Sequence, residues 1–432
     1  MVIFRVTENI NIKTTDGTLV SYVKLKNPSN LLNDTLYITT YEDFQNLKQV
    51  FTQISEKYQA KVIVEKRVRT LEYFPKELGI QNKNEFLNIT NSKKLLNTKI
   101  KDYSDNLDYV SLFLDNNQVF LEDEIKNSLK QDIKLAIIGN VGFDIGEMIA
   151  SCTAIRILYE ELKKKFKTVK IELFLNSSDN KQFTRDRQIF SNQYFISNVS
   201  ALSISVKKLF NYDYFIDTSL VTKQAYYKEL NYVDAWLYKF GIDFTKITEH
   251  RKYNTLDLSK YKPSKSLVEK FEELKLKGKI LLFHPYSADV KRSIPKEIAS
   301  KIVKELLNKL NDYVIVSALN IDGINDDAFV SVSNYSKSFL DFAYIVSNVN
   351  NIITVDTSTY HISDIFFIPT IVLFTNENPL KRIKNYNYVK AVVVNDKSKN
   401  LSFFKFDENS LVLNRFESWQ NIKIDKIIKL LD

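Results

Sequence analysis

The residues of this chain best placed to do chemistry are Asp356, at the end of a short apolar strand, and Thr357, Ser358 and His361 just after it. The segment NIITVDTSTYHISDIFFIPTIVLFTN (351–376) runs from one strand through an amphipathic stretch and Pro369 to a second apolar strand. A helix begun by Thr357 or Ser358 would present backbone N–H groups and the positive end of its dipole at the first strand's C-terminal edge. In parallel α/β sheets ligands bind at that edge, and a helix N-terminus there suits phosphate. His361 is one of three histidines in 432 residues, which makes it a marked choice. The same pattern also describes an ordinary strand–helix–strand unit with Asp356 as a cap and His361 as a satisfied core residue.

Other chemistries find less support. The single cysteine, Cys152, excludes an internal disulfide framework and a cysteine-based zinc site, and it fits a reducing cytoplasm. Asp322, Asp326 and Asp327 fall in a predicted loop and read as a solvated turn, so no metal is expected. The net charge of +9 suits a nucleotide, a nucleic acid or an anionic membrane surface. Its densest cluster, ELKKKFK (161–167), closes a predicted helix, where lysines complement the dipole. No zinc-finger or RNA-recognition signature accompanies it, and nucleic acid is not an expected partner. The start, MVIFRVTENINIK, lacks the pattern of a signal peptide. The longest apolar run, IFFIPTIVLF (365–374), is about half the length a spanning helix needs. A cytoplasmic protein, at most peripheral at the inner face of a membrane, is expected.

The elements that must position these residues follow a change of rhythm along the chain. Residues 1–130 read as a mixed α/β region, with strands at 36–40 and 60–67, a helix over 41–58 and a hairpin over 109–125. From 131 short apolar strands alternate with helices, as in parallel sheets with crossover helices. Strands are predicted at 134–140, 170–176, 193–199 and 214–219, with helices over 148–166 and 225–241. A polar stretch, 247–265, has the composition of an interdomain linker. The rhythm then restarts with strands at 279–286, 312–319, 328–333, 352–356, 370–376 and 388–396. Helices over 295–310, 338–349 and 421–431 accompany them. The expectation is an α/β chain with two Rossmann-like domains, 131–262 and 263–432, facing across a cleft and preceded by an appended α/β domain, 1–130.

The order of the blocks resembles the heptosyltransferase-like glycosyltransferases, glycosyltransferase family 9, which have the two-domain GT-B fold. GEMIASCTAIRIL (146–158) is similar to the family's G-D-hydrophobic…P-A-L-R-x-L segment. YDYFIDTS (212–219) and YVDAWLYKFGID (232–243) resemble its next two blocks, and HPYSADVKRSIP (284–295) its H-P-G…K-x-W-P block. YSKSFLDFAYIV (335–346) and VDTSTYHISDIFFIPTIVLFT (355–375) resemble the donor-binding region with its D-[ST]-G-x-x-H core. The resemblance covers about 300 residues and leaves the first 130 unexplained. It departs from the pattern where Tyr286, Ser358 and Thr375 replace glycines, Thr153 a proline and Ile294 a tryptophan. A Cβ at the glycine positions narrows the groove a donor would enter.

The resemblance implies an inverting, metal-independent transfer of a sugar, heptose among the candidates, from a nucleotide-diphosphate donor such as ADP-heptose. The acceptor would be a hydroxyl of a glycan, lipid-linked glycan or lipopolysaccharide core. Glu147 stands at the position of the family's general base, with Asp144 as an alternative base and helix-end complementation as the alternative role. Lys291 or Arg292 matches the phosphate-contacting lysine, Ser287 is placed to donate to a phosphate oxygen, and Asp356, Thr357, Ser358 and His361 match the donor loop. No cofactor and no metal ligands are implied. A non-catalytic GT-B scaffold or glycan-binding protein is the alternative, and a nucleotide-sugar epimerase a third reading.

Overall fold

The computed structural model describes residues 125–432 apart from 177–179, 203, 210, 219–220, 224–225, 228–229, 290–291, 376–378, 395–403, 408–409, 414–416 and 432. Within the first 124 it describes 2–6, 9–13, 17, 19–23, 37–40, 43, 46 and 62–67. The hairpin expected at 109–125 and nearly all of the helix expected over 41–58 lie outside the described residues. The chain divides into two compact units, Met1–Lys252 and Tyr253–Asp432.

The first unit begins with β1 (Val2–Val6), β2 (Ile10–Lys13), β3 (Leu19–Tyr22), β4 (Tyr37–Thr39) and β5 (Val62–Arg67). β1 pairs antiparallel with β4 and β5, and β2 with β3. There follow β6 (Asp132–Ile138), α1 (Ile145–Lys163), β7 (Thr168–Leu175), α2 (Asn180–Phe190), β8 (Asn198–Ala201), β9 (Ile204–Ser205), β10 (Tyr214–Asp217) and α3 (Tyr232–Lys239). β4 also pairs with β9, so strands from the first 40 residues continue onto a segment past residue 200. β6, β7, β8 and β10 form a parallel sheet in the order β10-β6-β7-β8. The chain therefore moves outward from β6 in one direction and returns to its other side with β10. α1 is buried on nearly all sides, from Met148 through Leu158, because Met, Ile, Ala and Leu occur around its whole circumference.

The second unit opens with α4 (Lys265–Lys277) and β11 (Lys279–His284), followed by α5 (Lys296–Lys309), β12 (Tyr313–Ser317) and β13 (Phe329–Ser331). Next come α6 (Phe339–Ser347), β14 (Asn351–Val355), α7 (Ser358–Ile365), β15 (Thr370–Thr375), α8 (Pro379–Ile383) and β16 (Val389–Val394). A hairpin of β17 (Phe404–Asp407) and β18 (Ser410–Leu413) and the short α9 (Ile424–Ile428) follow. Six strands form an all-parallel sheet in the order β13-β12-β11-β14-β15-β16. This is the doubly wound order whose direction reverses between the first and fourth strands, here β11 and β14.

Both faces of that sheet are covered, and its strands read as continuous apolar runs for that reason. Leu281, Phe283, Ile353 and Leu373 share one core with Ile302, Val303 and Leu306 of α5 and with Trp419, Ile424 and Ile427. Alternate residues of β15, Val372 and Phe374, join Tyr360, Ile383, Tyr386 and Val389 in a cluster on the other face. That second cluster fixes α7 and α8, and with them the side chains described next.

Candidate functional site

At the reversal point of the second unit, the loop after β11 and the start of α7 after β14 meet. The loop is folded back on itself. Ile294 N–H donates to Pro285 O at 2.9 Å, and Arg292 N–H donates to Asp289 O at 3.1 Å. Buried Ser293 brackets its interior: its Oγ accepts from Ser287 N–H at 2.9 Å and lies 3.1 and 3.2 Å from the carbonyls of Ser287 and Asp289. Ile294, fully buried in the core, anchors the loop's end. Ser287 Oγ accepts a long bond, 3.4 Å, from Asp289 N–H. Lys291 lies outside the described residues.

Arg292 leaves this loop toward Asp356. Its Nη1 is 3.3 Å from Asp356 Oδ2, and its Nε is 3.7 Å from Asp289 Oδ2. Asp356 is buried, and its Oδ1 accepts from the Tyr360 hydroxyl at 3.1 Å. A second guanidinium, Arg382 of α8, approaches the same Oδ2 to 3.9 Å. Thr357 is the N-cap residue of α7 in an extended conformation, and its side chain makes no capping bond to the first-turn N–H groups. Ser358 opens the helix beside them.

His361 sits deeper. Its Nδ1 is 2.5 Å from the Tyr386 hydroxyl, and its ring lies 4.1 Å from that of Tyr360, centroid to centroid. Burial first, then the charges of Arg382 and Arg292, depress its pKa to about 3. His361 is thus neutral at ordinary pH and offers a hydrogen bond rather than a positive charge. His284, at the end of β11, is also buried, with its pKa lowered to about 4. The structure thus brings Arg292, Asp356 and His361 together, with Thr357 and Ser358 at the helix mouth. It adds Arg382, Tyr360 and Tyr386, which the motifs do not single out. Tyr360 was within reach of them, in the first turn of the helix predicted to begin at Thr357 or Ser358.

In the first unit the corresponding edge carries carboxylates. The loop from Gly139 to Asp144 joins β6 to α1, and Thr218 fastens β10 beside it by donating its N–H and hydroxyl to Ile138 O at 2.9 and 3.0 Å. Gly142 has φ +133°, and a Cβ there would lie 2.7 Å from Met148 N, so only glycine lets the loop fold this close to the helix. Asp144 caps α1 by accepting from Glu147 N–H at 2.8 Å, and Glu147 reaches back to accept from Phe143 N–H at 2.8 Å. This is the reciprocal arrangement of a capping box. Burial, and then Asp144, raise the Glu147 pKa, while the N–H groups of Phe143 and Asp144 and the buried Tyr227 hydroxyl oppose the shift. A half-buried carboxylate shifted toward neutrality can take a proton from a hydroxyl more readily than a fully solvated one.

No protein-family model and no curated protein matches the chain. Among solved structures it is similar to the glycosyl transferase family 9 protein from Veillonella parvula DSM 2008. That match has 13% identity, 71% of this chain, 99% of the other and a TM-score of 0.47. It is similar as well to the E. coli ADP-heptose lps heptosyltransferase II, with 12% identity, 69% and 97% coverage and a TM-score of 0.47. The E. coli heptosyltransferase WaaC with ADP-2-deoxy-2-fluoro heptose follows, at 11%, 60% and 93%, and 0.40. These neighbours are sugar transferases. No helix among the described residues is long and apolar enough to cross a membrane. No group of three or more His, Cys, Asp or Glu placed to hold a metal occurs among them either.

Proposed function

We propose that the chain is an inverting, metal-independent glycosyltransferase that moves a sugar from a nucleotide-diphosphate donor to a hydroxyl of a glycan or lipopolysaccharide-type acceptor. The observation that carries the reading is the meeting of Arg292, Arg382 and Asp356 at the mouth of α7, at the reversal point of a doubly wound parallel sheet. Ligands of such sheets bind there, and guanidiniums beside a helix N-terminus stabilise the charge that grows on a departing diphosphate. Asp356 is then placed to accept from a sugar hydroxyl, and Thr357, Ser358 and Ser287 to donate to phosphate oxygens. Lys291 is assigned to the same loop by the resemblance alone.

Glu147 supplies the other half of the reaction as general base. The acceptor oxygen attacks the anomeric carbon as its proton passes to Glu147, and the bond to the diphosphate breaks with its electrons retained by the leaving phosphate. Residues 131–262 would serve the acceptor side, 263–432 the donor side in a GT-B arrangement, and 1–130 an appended domain. ADP-heptose, the sugar nucleotide for which the E. coli heptosyltransferase II is named, heads the donors to test. The location would be cytoplasmic, peripheral to an anionic membrane surface. A second reading, a non-catalytic scaffold or glycan binder, is favoured by one observation: Glu147 already has a structural use, holding Phe143 N–H.

Thermal melting of the protein with ADP-, UDP-, GDP- and CMP-linked sugars tests the reading. A donor present at about 100 times its Kd should stabilise the fold by about 2.7 kcal/mol. Mass spectrometry of acceptor glycans incubated with the stabilising donor should show the added sugar. A stabilising donor with no transfer to any acceptor would favour the scaffold. No stabilising donor at all would remove the proposal.

A further inference from the structure

We propose that Arg382 pairs with Arg292 to hold the two phosphoryl groups of a nucleoside diphosphate, and that Asp356 is the internal anion both release when it binds. The inference rests on the nucleotide-sugar reading and adds to it a residue that neither the motifs nor the resemblance marks. The two guanidiniums come from different elements, Arg292 from the loop after β11 and Arg382 from α8 after β15. Yet both approach one oxygen, Asp356 Oδ2, at 3.3 and 3.9 Å. A well-made charge-assisted hydrogen bond measures about 2.7–2.9 Å, so the arginines are gathered around the carboxylate rather than locked to it.

The layering has a direction. Side-chain exposure is 3% for Asp356 against 26% for Arg292 and 23% for Arg382, so the carboxylate lies deep and the cations lie toward solvent. Tyr360 holds the deep side through Oδ1 at 3.1 Å, so Asp356 can stay in place when its partners turn away. Tyr360, Ile383 and Tyr386 pack in one apolar cluster, which fixes α8 and its arginine relative to α7. Asp289, 3.7 Å from Arg292 Nε, tethers that arginine on its far side. Each guanidinium presents a planar fork suited to one phosphoryl group. Two forks from two elements suit two linked phosphoryls, whereas a monophosphate engages one.

That difference provides the test. The full-length protein is titrated by calorimetry with ADP, UDP and GDP, with the matching monophosphates and with inorganic pyrophosphate. Arg382→Ala should weaken the best diphosphate at least about tenfold and change its monophosphate by less than about twofold. Arg382→Lys, which keeps the charge but not the fork, should fall between. Melting temperatures check that each variant folds, and if the alanine variant does not, Arg382→Lys and Arg382→Gln carry the comparison. If wild type binds a diphosphate and the Arg382 variants bind it equally well, this inference is overturned while the nucleotide-sugar reading stands. Equal losses for mono- and diphosphate would also overturn it, since they would mark a general charge effect. If wild type binds no diphosphate and no pyrophosphate, the broader reading fails first and takes this inference with it.

Discussion

The two units set opposite chemistry on equivalent edges of their sheets. In the first, the reversal between β6 and β10 carries Asp144 and Glu147, and the N–H groups at the start of α1 are turned onto those carboxylates. In the second, the reversal between β11 and β14 carries two arginines around one buried carboxylate, and no side chain of Thr357 caps α7. The same topology thus presents carboxylates where acids fill the helix mouth, and guanidiniums around a buried carboxylate where cations surround it. The backbones differ accordingly. The first loop needs Gly142 at positive φ to pass close over its helix, whereas the second is braced by Ser293 and Ile294 and uses no glycine.

Removing the second brace gives the largest expected effect. Ile294→Ala deletes a fully buried side chain and should cost about 2–5 kcal/mol of unfolding free energy, read by urea denaturation. It should weaken diphosphate binding as Arg292 loses its place. A stable variant with unchanged binding would show that Ile294 does not position the loop. Next comes Gly142→Ala in the first unit, where the added Cβ meets backbone at 2.7 Å in a conformation alanine avoids. A loss of about 1–3 kcal/mol is expected, together with loss of turnover but not of diphosphate binding. Losing both together would erase the distinction between the edges.

A pH-dependent effect contrasts a buried acid with a half-buried one. Burial lifts the Asp364 carboxyl to about 7, opposed by hydrogen bonds from Asn254, one of them from its side-chain amide at 3.0 Å. A carboxyl pKa raised on folding means the folded state holds the proton more tightly, so this group's contribution falls as pH rises from about 4 to about 7. Asp364→Asn should abolish that fall, at about 1.4 kcal/mol per pKa unit as an upper limit, and be the more stable protein at pH 8. Melting temperatures from pH 4 to 8 decide it, and parallel curves for the two proteins would contradict the assignment. Glu147, shifted the same way but held by two backbone N–H groups, should give a shallower profile.

Much of the strand and helix pattern past residue 131 was legible because the four-stranded sheet of β6, β7, β8 and β10 and the six-stranded sheet are parallel, which leaves apolar runs separated by amphipathic helices. The segment 193–199 was not. QYFISNV reads as a strand, yet the chain turns there with Tyr194 exposed and Phe195 buried, and pairs only from Asn198. α4 begins where the segment read as linker, 247–265, ends, and no helix was read there, although Ser264 caps it and Leu267, Phe271 and Leu274 are its buried stripe. Asp356, Thr357 and His361 could be picked out by their place after a strand. Arg382 could not, because its approach to Asp356 depends on the packing of Ile383 against Tyr360 and β15, and PLKRI looks like any solvated basic turn. The strand orders were equally hidden: alternation implies a parallel sheet without saying which strand lies beside which.

The most direct test of the account is Glu147→Gln, assayed with whichever nucleotide sugar stabilises the wild type. Glutamine can still accept from Phe143 N–H, so the cap and the melting temperature should survive while base catalysis is lost. Turnover should fall by about 10²–10⁴ with the donor's Kd unchanged. Turnover at the wild-type level would contradict the account, because the acceptor's proton would then go to a group other than Glu147.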